Sequence, residues 1–195
     1  SQVWNSMFLS FIGASNLNIS ATDQPDLSQV TNMSFMFSSA TSFNSPINDW
    51  DTSHITDMSY MFNDASSFNQ PLNNWDTSNV TNMSFMFSRA SSFNQPLNNW
   101  DTSNVTDMQF MFSEASNFNQ SLAGFNISNV TNITDILYYT GLSNMNYDLT
   151  LEGWSGQSVI SGLSMSANPA KYCNVEARNI LTSAPNDWTI SDGGL

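Results

Sequence analysis

The chain is periodic. Valine or isoleucine recurs at Val30, Ile55, Val80, Val105 and Val130, a step of 25 residues. The stretch from Ile55 reads ITDMSYMFNDASSFNQPLNNWDTSN and the stretch from Val80 reads VTNMSFMFSRASSFNQPLNNWDTSN, so only five of 25 positions differ. The copies from Val30 and Val105 follow the same template with more changes. A unit this short cannot bury its own apolar side, whereas stacked copies build a continuous core in which like residues lie over like. The columns are plain: Met33, Met58, Met83 and Met108; Met36, Met61, Met86 and Met111, each followed by Phe; Ala40, Ala65, Ala90 and Ala115; Phe43, Phe68, Phe93 and Phe118. Ile47, Leu72, Leu97 and Leu122 come next, then Trp50, Trp75, Trp100 and Phe125.

Local chemistry suggests what each coil contains. Ile55, Met58, Met61 and Phe62 have helical spacing, with Ser53 or Thr56 as a cap and Asp57 in the first turn. The Phe-Asn-x-Pro-Leu-x-x-Trp segment reads as a short strand, shortened by its proline. Asp-Thr-Ser-Asn is turn chemistry. The expected architecture is therefore an α/β solenoid: a right-handed, leucine-rich-repeat-like stack of ~25-residue coils, each a short strand, turn and short helix, with N- and C-terminal caps. One domain spans 1–195, with an N-terminal cap coil at 1–29, four repeats at 30–129, degenerate coils at 130–165 and a C-terminal cap at 166–195. In the first coil, Phe8, Phe11 and Ile12 fall where Met33, Met36 and Phe37 fall one period later. Trp154 follows Phe125 by 29 residues, which implies a local insertion. Tyr172–Leu181 is expected to form a helix and Trp188–Ile190 a strand, and both close the open end of the core.

Composition narrows function. Of 195 residues, 16 are Asp or Glu and 3 are Lys or Arg, giving a net charge of −13. Three cations cannot neutralise a phosphate track, so nucleic acid is excluded as a partner. No apolar run is long enough for membrane insertion. Hydrophobic residues at 40% and aromatics at 13% argue against disorder. One cysteine, Cys173, permits no internal disulfide and reads as a small buried residue of the cap helix. His54 has neither a nucleophile nor an orienting acid beside it, and no GxSxG, P-loop or HExxH pattern occurs. The chain is not expected to be an enzyme.

The WDTSNVTNMSFMF and SSFNQPLNNW blocks resemble the short repeats of BspA-like surface proteins, also described as the DUF285 repeats, over roughly residues 26–137. The resemblance implies a leucine-rich-repeat-like architecture and an extracellular or cell-surface location. It further implies a role in adhesion to host proteins or other cells, and it supplies no catalytic residues.

Several polar and aromatic columns are candidates for ligand contact. Trp50, Trp75 and Trp100 are either inward packing residues or outward platforms for sugar rings. Asn44, Asn69, Asn94 and Asn119 suit an amide ladder that satisfies the backbone of the next coil. Asn73, Asn74, Asn98 and Asn99 face solvent and are the better ligand candidates. Asp51, Asp76 and Asp101 either accept bonds within their own turns or hold calcium between coils. Apart from that calcium, no cofactor is expected. The threonine columns admit an ice-binding reading, but capping and turn roles account for them.

The expected function is non-catalytic recognition or adhesion, with an extracellular protein or a neutral glycan as partner, through a repetitive polar face of a monomeric domain in a larger surface protein. The alternative is a rigid spacer or assembly module, calcium-stabilised if the aspartate column holds the ion.

Overall fold

A computed structural model describes residues 10–19 and 24–195. From Asn32 to Asn132, each 25-residue unit lies directly on the next. Single parallel bridges join Asn32 to Asp57, Asp57 to Asn82, Asn82 to Asp107 and Asp107 to Asn132.

One side of each coil is a run of tight turns. Met36, Ser38 and Ala40 donate N–H to the carbonyls of Met33, Phe35 and Phe37 within the coil. The intervening amides of Met33, Phe35, Phe37 and Ser39 instead donate to Asp57, Ser59, Met61 and Asn63 of the next coil, at 2.7–3.0 Å. With Ser34 N–H on Asn32 Oδ1 at 2.8 Å, every backbone donor from Met33 to Ala40 is satisfied, half within the coil and half between coils. The geometry needs left-handed residues at two columns: Phe35, Tyr60, Phe85, Phe110 and Asp135 lie at φ 51–58°, and Ser39, Asp64, Arg89, Glu114 and Tyr139 at φ 51–60°. Holding a side chain there costs about 1–2 kcal/mol per residue, and glycine would remove that cost.

This overturns the expected helix. Met58, Met61 and Phe62 are buried, as helical spacing requires, but they sit in turns that alternate local and inter-coil bonds. A left-handed residue at every fourth position returns the same residues to the interior, so the hydrophobic period imitates a helix. The expected strand is also displaced. The segment from Phe68 to Trp75 forms no strand, and the bridges fall at the Asn/Asp column instead.

The second side is extended and is joined by side chains. Asn44 Oδ1 accepts from Asn69 N–H at 2.9 Å, Asn69 Oδ1 from Asn94 at 3.0 Å and Asn94 Oδ1 from Asn119 at 2.8 Å. The amide ladder supplies what proline and irregular backbone cannot. The third side turns through Thr52, Thr77 and Thr102. Their buried hydroxyls donate to the carbonyls of Asp76, Asp101 and Asn126 one coil on. Thr56, Thr81, Thr106 and Thr131 then donate backbone N–H to the previous threonine's carbonyl at 2.8–2.9 Å.

The interior is filled by the apolar columns. Phe37 stacks on Phe43 in its own coil at 4.1 Å and on Phe62 of the next at 5.5 Å, and the pattern repeats through Phe87, Phe93 and Phe112. Each fully buried phenylalanine removes enough apolar area to contribute roughly 1.5–3 kcal/mol.

The ends are built differently. At the N-terminal side, Phe11 and Gly13 donate to Met36 and Ser38, which places one rung before Met33. Phe11 stacks on Phe37 at 5.6 Å. Ile12 is 50% exposed and does not take the core position expected from its alignment with Phe37. Phe8 lies outside the described residues.

At the C-terminal side, α1 (Asn144–Ser155) replaces an extended segment. Its Asn146 side chain bonds Asn119, continuing the amide ladder. Its Trp154 Nε1–H reaches Leu122 O at 3.0 Å, as Trp75 reaches Ile47 O and Trp100 reaches Leu72 O. The extra residues before Trp154 are absorbed by helical compaction, since a helix rises only about 1.5 Å per residue. A side chain at Gly153 would collide with the Ala123 backbone, so glycine permits this close approach.

Leu137 and Tyr139 donate to Ser166 and Asn168, and β1 (Ser164–Ser166) pairs in parallel with β2 (Thr189–Ser191). Between these strands, α2 (Val175–Thr182) packs on α1. It starts at Val175 rather than Tyr172, because the Asn174 side chain caps it by accepting from Ala177 N–H. Cys173 is exposed and precedes the helix, contrary to the buried position expected on it.

Candidate functional site

The tryptophan column is not a ligand platform. Trp50, Trp75 and Trp100 are 7%, 2% and 3% exposed, and the indole N–H groups of Trp75 and Trp100 are spent on carbonyls of the preceding coil. A buried indole needs a partner for its N–H, and the carbonyl at the start of the same short segment one coil back provides it. Of the two expected roles, these three residues pack inward and present no outward platform for sugar rings.

Asn73, Asn74, Asn98 and Asn99 are exposed. Asn74 is held from below, its N–H on Asn48 Oδ1 at 3.1 Å and its side-chain amide on Asp49 Oδ1 at 3.2 Å. Asn99 reaches Asn73 O at 3.5 Å. The four amides form an exposed strip at the second corner of the coil, partly committed to one another.

Asp51, Asp76 and Asp101 are exposed at the third corner. Asp51 Oδ1 accepts from Ser53 N–H at 3.0 Å and Oγ–H at 2.7 Å, and Asp76 accepts the same pair from Ser78 at 2.9 and 2.6 Å. The serine hydroxyl, then the serine amide, holds the carboxyls of Asp51 and Asp101 below the usual aspartate range. Each aspartate is thus bound into its own turn. Among the described residues, no three His, Cys, Asp or Glu side chains gather in a group suited to a metal ion.

A second acid column shows how the sequence handles stacked charge. At the bridge position Asn32, Asp57, Asn82, Asp107 and Asn132 alternate amide and carboxylate. Adjacent carboxylates at the ~4.8 Å inter-strand spacing would repel by about 1–4 kcal/mol. The amide breaks the run, and Asn32 Nδ2–H donates to Asp57 Oδ2 at 3.2 Å.

The feature missed from the sequence lies on the turn side. Phe35, Tyr60, Phe85 and Phe110 are half-buried and project outward from their left-handed backbone. Their rings stack at 4.4, 4.4 and 4.6 Å with interplanar angles of 6°, 8° and 13°. Four residues later, Ser39, Asp64, Arg89 and Glu114 also project outward. Between the two rows runs a floor of Ser38, Asn63, Ser88 and Ser113, three of them buried serines. Over Asn63, Ser88 and Ser113 the rows enclose a groove of about 280 Å³, with Asp135 and Tyr138 also in its lining. Arg89 pairs with Glu114 across the coil step at 3.4 Å. Burial, then the charge of Asp107, pushes the Tyr60 hydroxyl above the usual tyrosine value. The signal was present in the sequence: an aromatic residue in four successive coils, out of phase with the Met–Met–Phe face.

A depression of about 640 Å³ beside α2, lined by Val175, Ile180 and Pro185, belongs to the cap and includes no repeated position. Among the described residues, no helix is long and apolar enough to cross a membrane.

A stack of short coils, with its apolar columns inside and repeated side chains outside, defines a repeat protein whose outer rows are the candidate functional surface. A family profile described as Mycoplasma protein of unknown function, DUF285, matches residues 5–106 and, in a second overlapping match, 72–178. The chain belongs to the DUF285 family. No curated protein and no solved structure matches it.

Proposed function

We propose that this chain is a non-catalytic recognition module of the cell surface or extracellular space, built as a right-handed, leucine-rich-repeat-like solenoid. A protein or neutral glycan binds its outer rows. The observation that carries this reading is the stacked Tyr60–Phe85–Phe110 ladder, apolar surface kept outside a core that already has its own phenylalanine columns. A half-exposed apolar row beside a polar row is the composition of a recognition surface. Repetition adds weak contacts along the stack. The net charge of −13 favours basic or neutral partners.

A glycan and extracellular-protein binding screen, run with and without calcium, tests the reading. Hits that weaken when Phe85 is replaced by Gly support it. A screen with no Phe85-dependent hit favours the spacer reading. A melting temperature that falls on chelation in the parent chain but not in Asp76→Asn would favour calcium in the aspartate column.

A further inference from the structure

The shape and charge of the groove narrow its occupant, provided the recognition reading of this groove holds. The ring faces of Tyr60, Phe85 and Phe110 lie against one another. A pyranose stacks on a free ring face, so this ladder offers sugars little; it offers ring edges, an apolar ridge suited to alkyl groups. The ridge is flanked by carboxylates on both sides. Asp57 and Asp107 stand in the bridge column with Asn82 between them, and Asp64 and Glu114 stand in the opposite row with Arg89 between them. Arg89 and Glu114 compensate each other as an exposed pair at 3.4 Å, so the uncompensated acids are Asp57, Asp107 and Asp64, with Asp135 in the groove lining. Alkyl contact with positive charge at its tip is the chemistry of a lysine or arginine side chain, whose stem lies on apolar surface while its head reaches an anion.

The acids recur at every second coil in both rows, a repeat of about 9.6 Å at the ~4.8 Å inter-strand spacing. The ring steps of 4.4 and 4.6 Å from Tyr60 to Phe110 agree with that repeat. A polyproline-II chain returns to the same face every three residues, about 9.3 Å. The floor of Asn63, Ser88 and Ser113 carries no charge of its own, so the acids beside the ridge set the sign of the groove.

We propose that the groove along Tyr60, Phe85 and Phe110 is a docking track for an extended basic polypeptide in polyproline-II conformation, carrying Lys or Arg at every third position. The preformed conformation lowers the ordering cost of binding, and the acid spacing sets the register.

The test is fluorescence anisotropy of a labelled Lys-Pro-Pro repeat peptide against the full chain. A Lys-Gly-Gly peptide of equal length and charge and a Glu-Pro-Pro peptide are the comparisons. The expected result is binding about tenfold tighter for Lys-Pro-Pro than for Lys-Gly-Gly, and none for Glu-Pro-Pro. Phe85→Gly, which suits the left-handed backbone at that position, should weaken the Lys-Pro-Pro complex about tenfold. The paired substitution Asp64→Asn with Glu114→Gln should do the same while leaving the ridge intact. Equal affinity for the Pro and Gly peptides would reduce the effect to attraction by net charge and overturn the proposal. So would affinities unchanged in both variants. No binding of Lys-Pro-Pro together with a Phe85-dependent glycan hit would overturn the peptide track and leave the recognition reading standing. The absence of any Phe85-dependent ligand would overturn both.

Discussion

The repeated body and the C-terminal cap cover the same Met–Phe core by different means. In the body, the covering is distributed: each coil adds turn amides, one Asn44-type amide and one Thr52-type hydroxyl, and no single bond is special. In the cap, it is concentrated. The Tyr147 hydroxyl and the Arg178 Nε–H both donate to Asp192 Oδ2, at 3.0 and 2.9 Å, joining α1, α2 and the end of β2. Arg178 also bonds Ile190 O and lies over the Tyr172 ring at 4.7 Å. Burial opposes its charge, but the hydrogen bond and charge of Asp192 outweigh that and raise its pKa. Burial also pushes the Tyr147 hydroxyl far above its usual value, and the Asp192 carboxylate adds to this. A repeating surface can rely on many equal contacts, whereas an end has no next coil and needs a specific closure.

That contrast can be broken at several points. The largest effect is expected in the body's interior. Phe87→Ala should cost about 3–5 kcal/mol in chemical denaturation, as for other buried phenylalanines, and Phe62→Ala should cost the same because its surroundings are a copy. A marked difference between the two would show that the coils are not equivalent.

Next in size is the cap. Arg178→Ala leaves the Asp192 carboxylate, only 4% exposed, without its cation, and should cost about 3 kcal/mol. Hydrogen exchange should then report faster opening of α2, with the coils near Val80 unaffected. Uniform acceleration would mean that the cap is not a separate unit.

Asn94→Ala removes the acceptor for both Asn119 N–H and Gln120 Nε2–H, and should cost roughly 1–2 kcal/mol. The smallest effect is the acid response of the exposed turns. The folded pKa values of Asp51 and Asp101 lie below the ordinary 3.8, so their contribution is present above that value and lost as pH falls through the lower folded values. Denaturation midpoints followed below about pH 4 should therefore drop less in Asp51→Ala than in the parent chain.

The core was legible in the sequence because the columns of Met36, Phe37, Phe43 and Ile47 type alternate with polar residues in every copy. The local conformation was not. Left-handed backbone is ordinarily announced by Gly, Asn or Asp, and here only Asp64 and Asp135 are of that kind, while Phe85, Arg89 and the others in the two columns carry no such signal. The same substitution hid the groove, since an aromatic residue beside a core column reads as more core. Trp75 left two readings open, inward packing or an outward platform, because the carbonyl one coil back that accepts its N–H belongs to a different repeat and has no local signal. The cap helix α1 was legible only as an excess of residues before Trp154.

The 25-residue coil is one interchangeable unit of core and outer rows. Calorimetry of a chain lacking residues 80–104 tests this most directly. Removal of one whole coil should leave a single cooperative unfolding transition at a modestly lower temperature, with the Asn, Thr and aromatic ladders rejoined across the cut. Loss of cooperative unfolding in that deletion would contradict it.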